Sequence, residues 1–135
     1  MNNLPNSWRD SLTALRTALL HLHKSLLDAE RQSYETEHGP IRSNGEYLQL
    51  LINHERFQWL QPYTSLVVVC DETLESKEAI AAEAVEALWT KARELTETMK
   101  ADTNSRYALI LKSSPVVQMT DAEVSQLLEM HGSKS

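Results

Sequence analysis

The chain is short of the residues that build turns. It holds three glycines and four prolines in 135 residues, which leaves little room for the tight turns of an all-β fold. It has one cysteine, Cys70, so no intramolecular disulfide can form. That residue lies in an apolar run and reads as a small buried hydrophobe rather than a reactive thiol. There is no basic run and no basic stripe: the Lys and Arg residues are dispersed in a chain of net charge -6 and pI about 5.3. This argues against a surface that tracks nucleic-acid phosphates and leaves room for a local basic pocket. The most apolar run, residues 66–70, is far too short to span a bilayer. The first ten residues lack the basic-then-apolar order of a signal peptide. These absences leave a cytoplasmic protein with no membrane and no nucleic-acid partner. Size predicts a single domain over residues 1–131, followed by a disordered tail at 132–135.

What is present is helix-forming. Ala, Leu, Glu, Lys and Gln dominate. Trp8, Leu12, Leu15, Leu19, Leu22 and Leu26 alternate by four and three residues, the spacing that keeps one stripe on one side of a helix. Leu20, Leu27 and Tyr34 form a second row beside it. The pattern predicts one helix over residues 8–38, a rod of roughly 45 Å. Asn6 or Ser7 would be its N-cap, with Pro5 near its start and Gly39-Pro40 its stop.

Ser43 with Glu46 matches a capping box. A second helix is expected over residues 44–53, well buried because Tyr47, Leu48, Leu50, Leu51 and Ile52 are densely apolar. Residues 54–56 read as a turn. Pro62 suits the first turn of a third helix, residues 61–75. Its β-branched stretch 66–70 favours strand locally, but no second strand-like run exists to pair with it, so helix is expected. A fourth helix, residues 77–100, is assigned a Ser76 cap and an inner face of Ala81, Ala84, Leu88, Ala92, Leu95 and Met99. Residues 101–104 form a polar break. Two short helices close the chain: residues 107–111, ending near Ser114-Pro115, and a second from Thr120 with Glu123 completing a capping box. The expected fold class is all-α: an up-and-down bundle of four main helices with a short C-terminal helical appendage.

Polar residues on the core face of the first helix are the main functional signal. Arg16, His23 and Glu30 fall inside its apolar arc, whereas His21, Lys24, Asp28 and Gln32 fall outside. His23 and Glu30 are seven residues apart, roughly 10 Å along the axis, so each needs a partner from elsewhere. Arg16, Tyr34 and Asp71 are the nearby candidates. Glu30 is expected to accept bonds from an Arg, a Trp or Tyr, or backbone N–H groups. His23, Glu30, Arg31, Tyr34, Trp59 and Asp71 together form the candidate polar network or ligand pocket. No catalytic residue, metal ligand or cofactor is assigned.

The middle of the chain resembles a known family. The residues that carry the resemblance are Leu22-His23-Lys24, Leu27-Asp28-Ala29-Glu30-Arg31, Tyr34-Glu35, His38-Gly39-Pro40-Ile41, Glu46, Leu48-Gln49-Leu50-Leu51 and Phe57-Gln58-Trp59-Leu60-Gln61-Pro62. They are similar to a family of small uncharacterised bacterial proteins over residues 22–75. The resemblance implies a bacterial, cytoplasmic, all-helical protein and supplies no activity.

Enzyme motifs are thin. A carboxylate-bridged di-metal bundle needs two Glu-x-x-His pairs, and Glu35-Thr36-Glu37-His38 is alone. A hemerythrin-like or haem site would have His23, His38 and His54 to draw on. The Arg-to-His spacing of HEPN-type nucleases occurs at Arg31–His38 and again from Arg16 to His21 and His23, so it discriminates nothing. The sequence is therefore read as a non-catalytic interaction or small-ligand-binding bundle, with a metal- or haem-binding bundle or a HEPN-like nuclease as alternatives. Its partner would be another protein, a second copy in a homodimer, or a small molecule. The aromatic cluster Tyr47, Phe57, Trp59 and Tyr63 offers anchors for such contacts.

Overall fold

A computed structural model describes residues 4–132, with side chains from Trp8 to His131. The protein is all-α. Its described residues form seven helices and no strand: α1 Leu4–His38, α2 Asn44–Asn53, α3 Glu55–Gln58, α4 Gln61–Glu75, α5 Ala82–Ala101, α6 Arg106–Ser113 and α7 Pro115–Gly132. Every other layer rests on α1, which packs chiefly against α7 and α4 and also meets α3, α5 and α6. Its stripe is the core: Leu12, Leu15, Leu19, Leu22 and Leu26 are all 0% exposed. Each such burial stabilises by roughly 1.5–3 kcal/mol. Ala18 and Ala92, also fully buried, let neighbouring helices approach closely. Leu20 stays exposed, while Leu27 and Tyr34 pack at the core's edge.

Residues 66–70 are helical, inside α4. Leu66, Val67 and Cys70 point inward and Val68 and Val69 outward, a one-sided distribution that a helix produces. Burial pushes the Cys70 thiol up to about 11, with Asp71 adding to the effect. The thiol is therefore protonated and unreactive at neutral pH.

Several local expectations are corrected. Helix α1 starts at Leu4, so Asn6 and Ser7 lie within it. Ser43 does cap α2, accepting from the Glu46 N–H, while the Glu46 carboxylate accepts from Arg42 N–H. Yet α2 has no buried residue, and Leu48 and Ile52 are each 55% exposed. It lies at the margin of the bundle and packs extensively only on α3. The expected turn at residues 54–56 is instead the start of α3, capped by the His54 imidazole, whose Nδ1 accepts from Arg56 N–H.

Ser76 ends α4 rather than starting the next helix, and α5 begins at Ala82 with no side-chain cap. The buried face of α5 is Val85, Trp89, Ala92 and Thr96, rotated from the expected one, which leaves Ala81 and Ala84 exposed. Ser114 both ends α6 and caps α7: its N–H donates to the Ile110 carbonyl and its Oγ accepts from Val117 N–H. Pro115 then occupies the first position of α7, where a missing N–H does no harm. The result is an 18-residue helix lying along α1, not a short appendage. Thr120 sits inside it, its hydroxyl bonded to the Val117 carbonyl and to Ser25. Gly132 is the last residue of α7, and Ser133–Ser135 of the expected tail lie outside the described residues.

Burial sets a clear contrast between two leucines. Leu19→Ala should lose about 2–5 kcal/mol in urea unfolding, because it opens a cavity at a fully covered position of α1. Leu48→Ala, on the exposed side of α2, should change stability by less than about 0.5 kcal/mol. Equal losses would contradict the packing described.

Candidate functional site

Four polar residues interrupt α1 at intervals of seven, and each reaches the chain running through α4. Arg9 donates to the Leu74 and Ser76 carbonyls at 2.7 and 3.3 Å. Arg16 Nε donates to Asp71 Oδ1 at 2.6 Å. His23 Nε2 lies 2.8 Å from Thr64 Oγ1. Trp59 Nε1 donates to Glu30 Oε2 at 2.6 Å. As numbers rise along α1 the partners' numbers fall, so these are the rungs of an antiparallel ladder. A seven-residue step is close to two helical turns, which keeps all four on one seam.

Glu30 is the deepest rung, at 0% exposure. It receives two further bonds from α6: Arg106 Nε to Oε2 at 2.9 Å and Arg106 Nη2 to Oε1 at 2.8 Å. The fork matches a planar guanidinium to a planar carboxylate. Stripping an unpaired carboxylate of water costs several kcal/mol; three charge-assisted donors offset that here. The hydrogen bond to Glu30 raises the already high Arg106 pKa.

The candidate residues from the sequence thus divide. Glu30 and Trp59 come together. His23 joins Thr64 and Asp71 joins Arg16, each on its own rung. Arg31 stacks over the Tyr47 ring at 4.5 Å, with Glu35 at 3.6 Å. Tyr34 enters an aromatic cluster with His38, His54 and Phe57. Arg106 was not among the candidates. The only signal for it was indirect: a glutamate on a core face demands a cation, and no local pattern says which arginine supplies it.

Although it holds a buried carboxylate, the Arg106 side chain is 41% exposed. It lines two clefts. One, of about 560 Å3, has Gln32, Ser33 and Thr36 on its polar side and Leu109, Ile110 and Val116 on its apolar side. The other, of about 240 Å3, is lined by His54, Glu55, Arg56 and Arg106. Arg56 is anchored by Ser33 at 2.7 Å and by Glu37 at 2.6 Å. That bond, reinforced by the charges of Arg56, His38 and Arg106, lowers the Glu37 pKa. A further groove of about 590 Å3 between α5 and α7 includes Arg93, Thr96 and Leu128. Two of its polar groups are engaged within the fold: Arg93 donates to the Leu128 carbonyl, and Thr96 pairs with the Tyr63 hydroxyl.

A second buried carboxylate stands at the other side of α6. Asp121 of α7 accepts from Tyr107 Oη at 2.5 Å and from Lys100 Nζ at 3.2 Å. Burial first, and the Asp121 bond second, push the Tyr107 phenol far above its usual range. Burial raises that of Tyr63 to about 12. Among the described residues, no group of three or more His, Cys, Asp or Glu side chains could hold a metal ion, and no helix is long and apolar enough to cross a membrane.

The rungs should differ in energy by burial. Glu30→Ala should cost about 2–4 kcal/mol, because it orphans Trp59 and Arg106. Arg16→Ala should cost under about 1 kcal/mol, since its pair is a third exposed and screened by water. The reverse order in urea unfolding would refute the ladder's ranking. His23 carries a pH signature. Burial lowers its pKa from 6.5, so the folded state holds fewer protons than the unfolded one. Its contribution is complete above pH 6.5 and is lost as pH falls through the lowered value. The fall in stability from pH 6.5 toward about pH 5 should be shallower in His23→Gln than in the wild type. No family model, curated protein or solved structure matches the chain.

Proposed function

We propose that this protein is a non-catalytic binding protein, an up-and-down helical scaffold whose site is the larger cleft at Arg106, and that its ligand is a small amphipathic anion. One observation carries the reading: a fully buried glutamate aims an arginine that remains 41% exposed. Glu30 takes two N–H groups of that guanidinium. A guanidinium has about five donors, so the others are left for the clefts that Arg106 lines. Donors held in place before the ligand arrives lose little entropy on binding. On the apolar side of the cleft, Leu109 and Val116 are largely exposed. A cleft with apolar walls and a few fixed polar groups is the usual form of a small-molecule site. A carboxylate head on Arg106 with its tail against Leu109 and Val116 satisfies both sides.

A second reading, as an interaction protein that binds another protein or its own copy, is favoured by the paired Leu48 and Ile52 on the open side of α2. Those residues are four apart and form one stripe. Light scattering tests the homodimer: a monomer mass at micromolar concentration would remove it.

Octanoate and octan-1-ol are suitable probes for the primary reading. Octanoate should bind saturably and more tightly than the alcohol. Arg106→Gln should weaken it by about tenfold or more, the scale of a lost charge-assisted bond. Val116→Asp, at a 60% exposed position in the first turn of α7, should fold normally and still weaken binding. Equal affinity for acid and alcohol, or unchanged affinity in both variants, would overturn the assignment.

A further inference from the structure

A separate cavity of about 150 Å3 lies between α1, α2 and the chain from α3 into α4. Leu27, Leu51, Phe57 and Leu60 make its apolar wall, and His23, Gln61 and Thr64 are its polar lining. A volume of about 150 Å3 is enough for one benzene ring. We propose that it is a binding site for a small neutral one-ring hydroxyl compound of the phenol class, with His23 accepting the hydroxyl's hydrogen bond. This stands independently of the Arg106 clefts.

The role of His23 turns on its bond to Thr64. Thr64 Oγ1 lies 2.8 Å from His23 Nε2 and 3.3 Å from the Leu60 carbonyl, and its single proton can serve only one of them. With that proton on the carbonyl, the tautomer the proposal uses, the imidazole Nε2–H is the donor to Thr64. With the proton on Nε2, Nδ1 keeps a lone pair. It makes no hydrogen bond within the protein among the described residues. Burial lowers the imidazole's pKa, which keeps it neutral at pH 7 and hence an acceptor.

That chemistry selects the ligand. A carboxylate would lose its hydration in an apolar wall without a cation to replace it. A plain hydrocarbon ring would fill the space but leave the acceptor unused. A ring with one hydroxyl satisfies both. The wall can also admit it: Leu51 belongs to α2, which has no buried residue and packs extensively only on α3.

The test titrates the full chain with phenol and, in parallel, toluene, read by NMR shifts of the His23 imidazole and the Leu27 and Leu51 methyls. Phenol should saturate and bind about tenfold more tightly than toluene, the ratio that one added hydrogen bond supplies. His23→Phe should erase the difference between the two probes. Leu51→Trp, a substitution on a half-exposed helix, should abolish both by filling the space. The proposal is overturned if toluene matches phenol on the wild-type protein, if neither saturates at millimolar concentration, or if Leu51→Trp leaves phenol binding intact. The two-probe comparison on the wild type decides the matter even if a variant fails to fold.

Discussion

A carboxylate taken wholly out of water dictates which parts of this chain must meet. Glu30 has no contact with solvent, and the interior offers it little dielectric relief. Its donors come from 29 and 76 residues away in sequence. One stands just before α4 and the other opens α6. The carboxylate therefore determines where both segments cross α1. Apolar side chains could bury the same area at no electrostatic risk, but they would not aim a guanidinium. The three rungs toward the start of α1 set the register of the same pairing with less burial and less energy. Arg16 and Asp71 are about a third exposed, and Arg9 simply satisfies the carbonyls at the end of α4, where a cation also suits the helix dipole.

How much of this was legible depended on how local the cause was. The α1 stripe was legible because periodicity alone selects a helix face. The polar interruptions at His23 and Glu30 were legible for the same reason. The Ser43 cap was legible because its partner is three residues away. The burial of α2 was misread because apolar density counts hydrophobic residues and not neighbours; a ten-residue helix at the margin has too few elements around it to cover Leu48 and Ile52. The starts of α5 and α7 were misplaced by a different ambiguity. A serine before a polar stretch can end one helix as readily as begin another. At Ser76 it ends one, and at Ser114 it does both. Arg106 was illegible because its reason for being there lies on another helix.

The two proposed sites show how one face of one helix can present opposite chemistries. His23 is desolvated and kept neutral, so it offers an acceptor in apolar surroundings. Glu30 is equally removed from water, but three donors meet it. The difference lies in the partners. A threonine hydroxyl can share a proton but cannot neutralise a charge, and a guanidinium can. Burial alone favours the neutral form of the imidazole.

A short link in this scheme is α6. Eight residues are too few to hold a helix by backbone bonds alone. Two adjacent side chains compensate. Arg106 reaches back to the buried Glu30 of α1, and Tyr107 reaches the buried Asp121 of α7. Neighbouring positions on a helix project about 100° apart, so the two anchors restrain rotation about the helix axis as well as translation. Ser105 adds the cap that completes the first turn. The consequence falls on the larger cleft, whose apolar wall is Leu109 and Ile110 of this helix. A helix free to roll would carry that wall away from Arg106. With both carboxylates engaged, the polar and apolar halves of the cleft are tied to one frame, as the proposed amphipathic ligand requires.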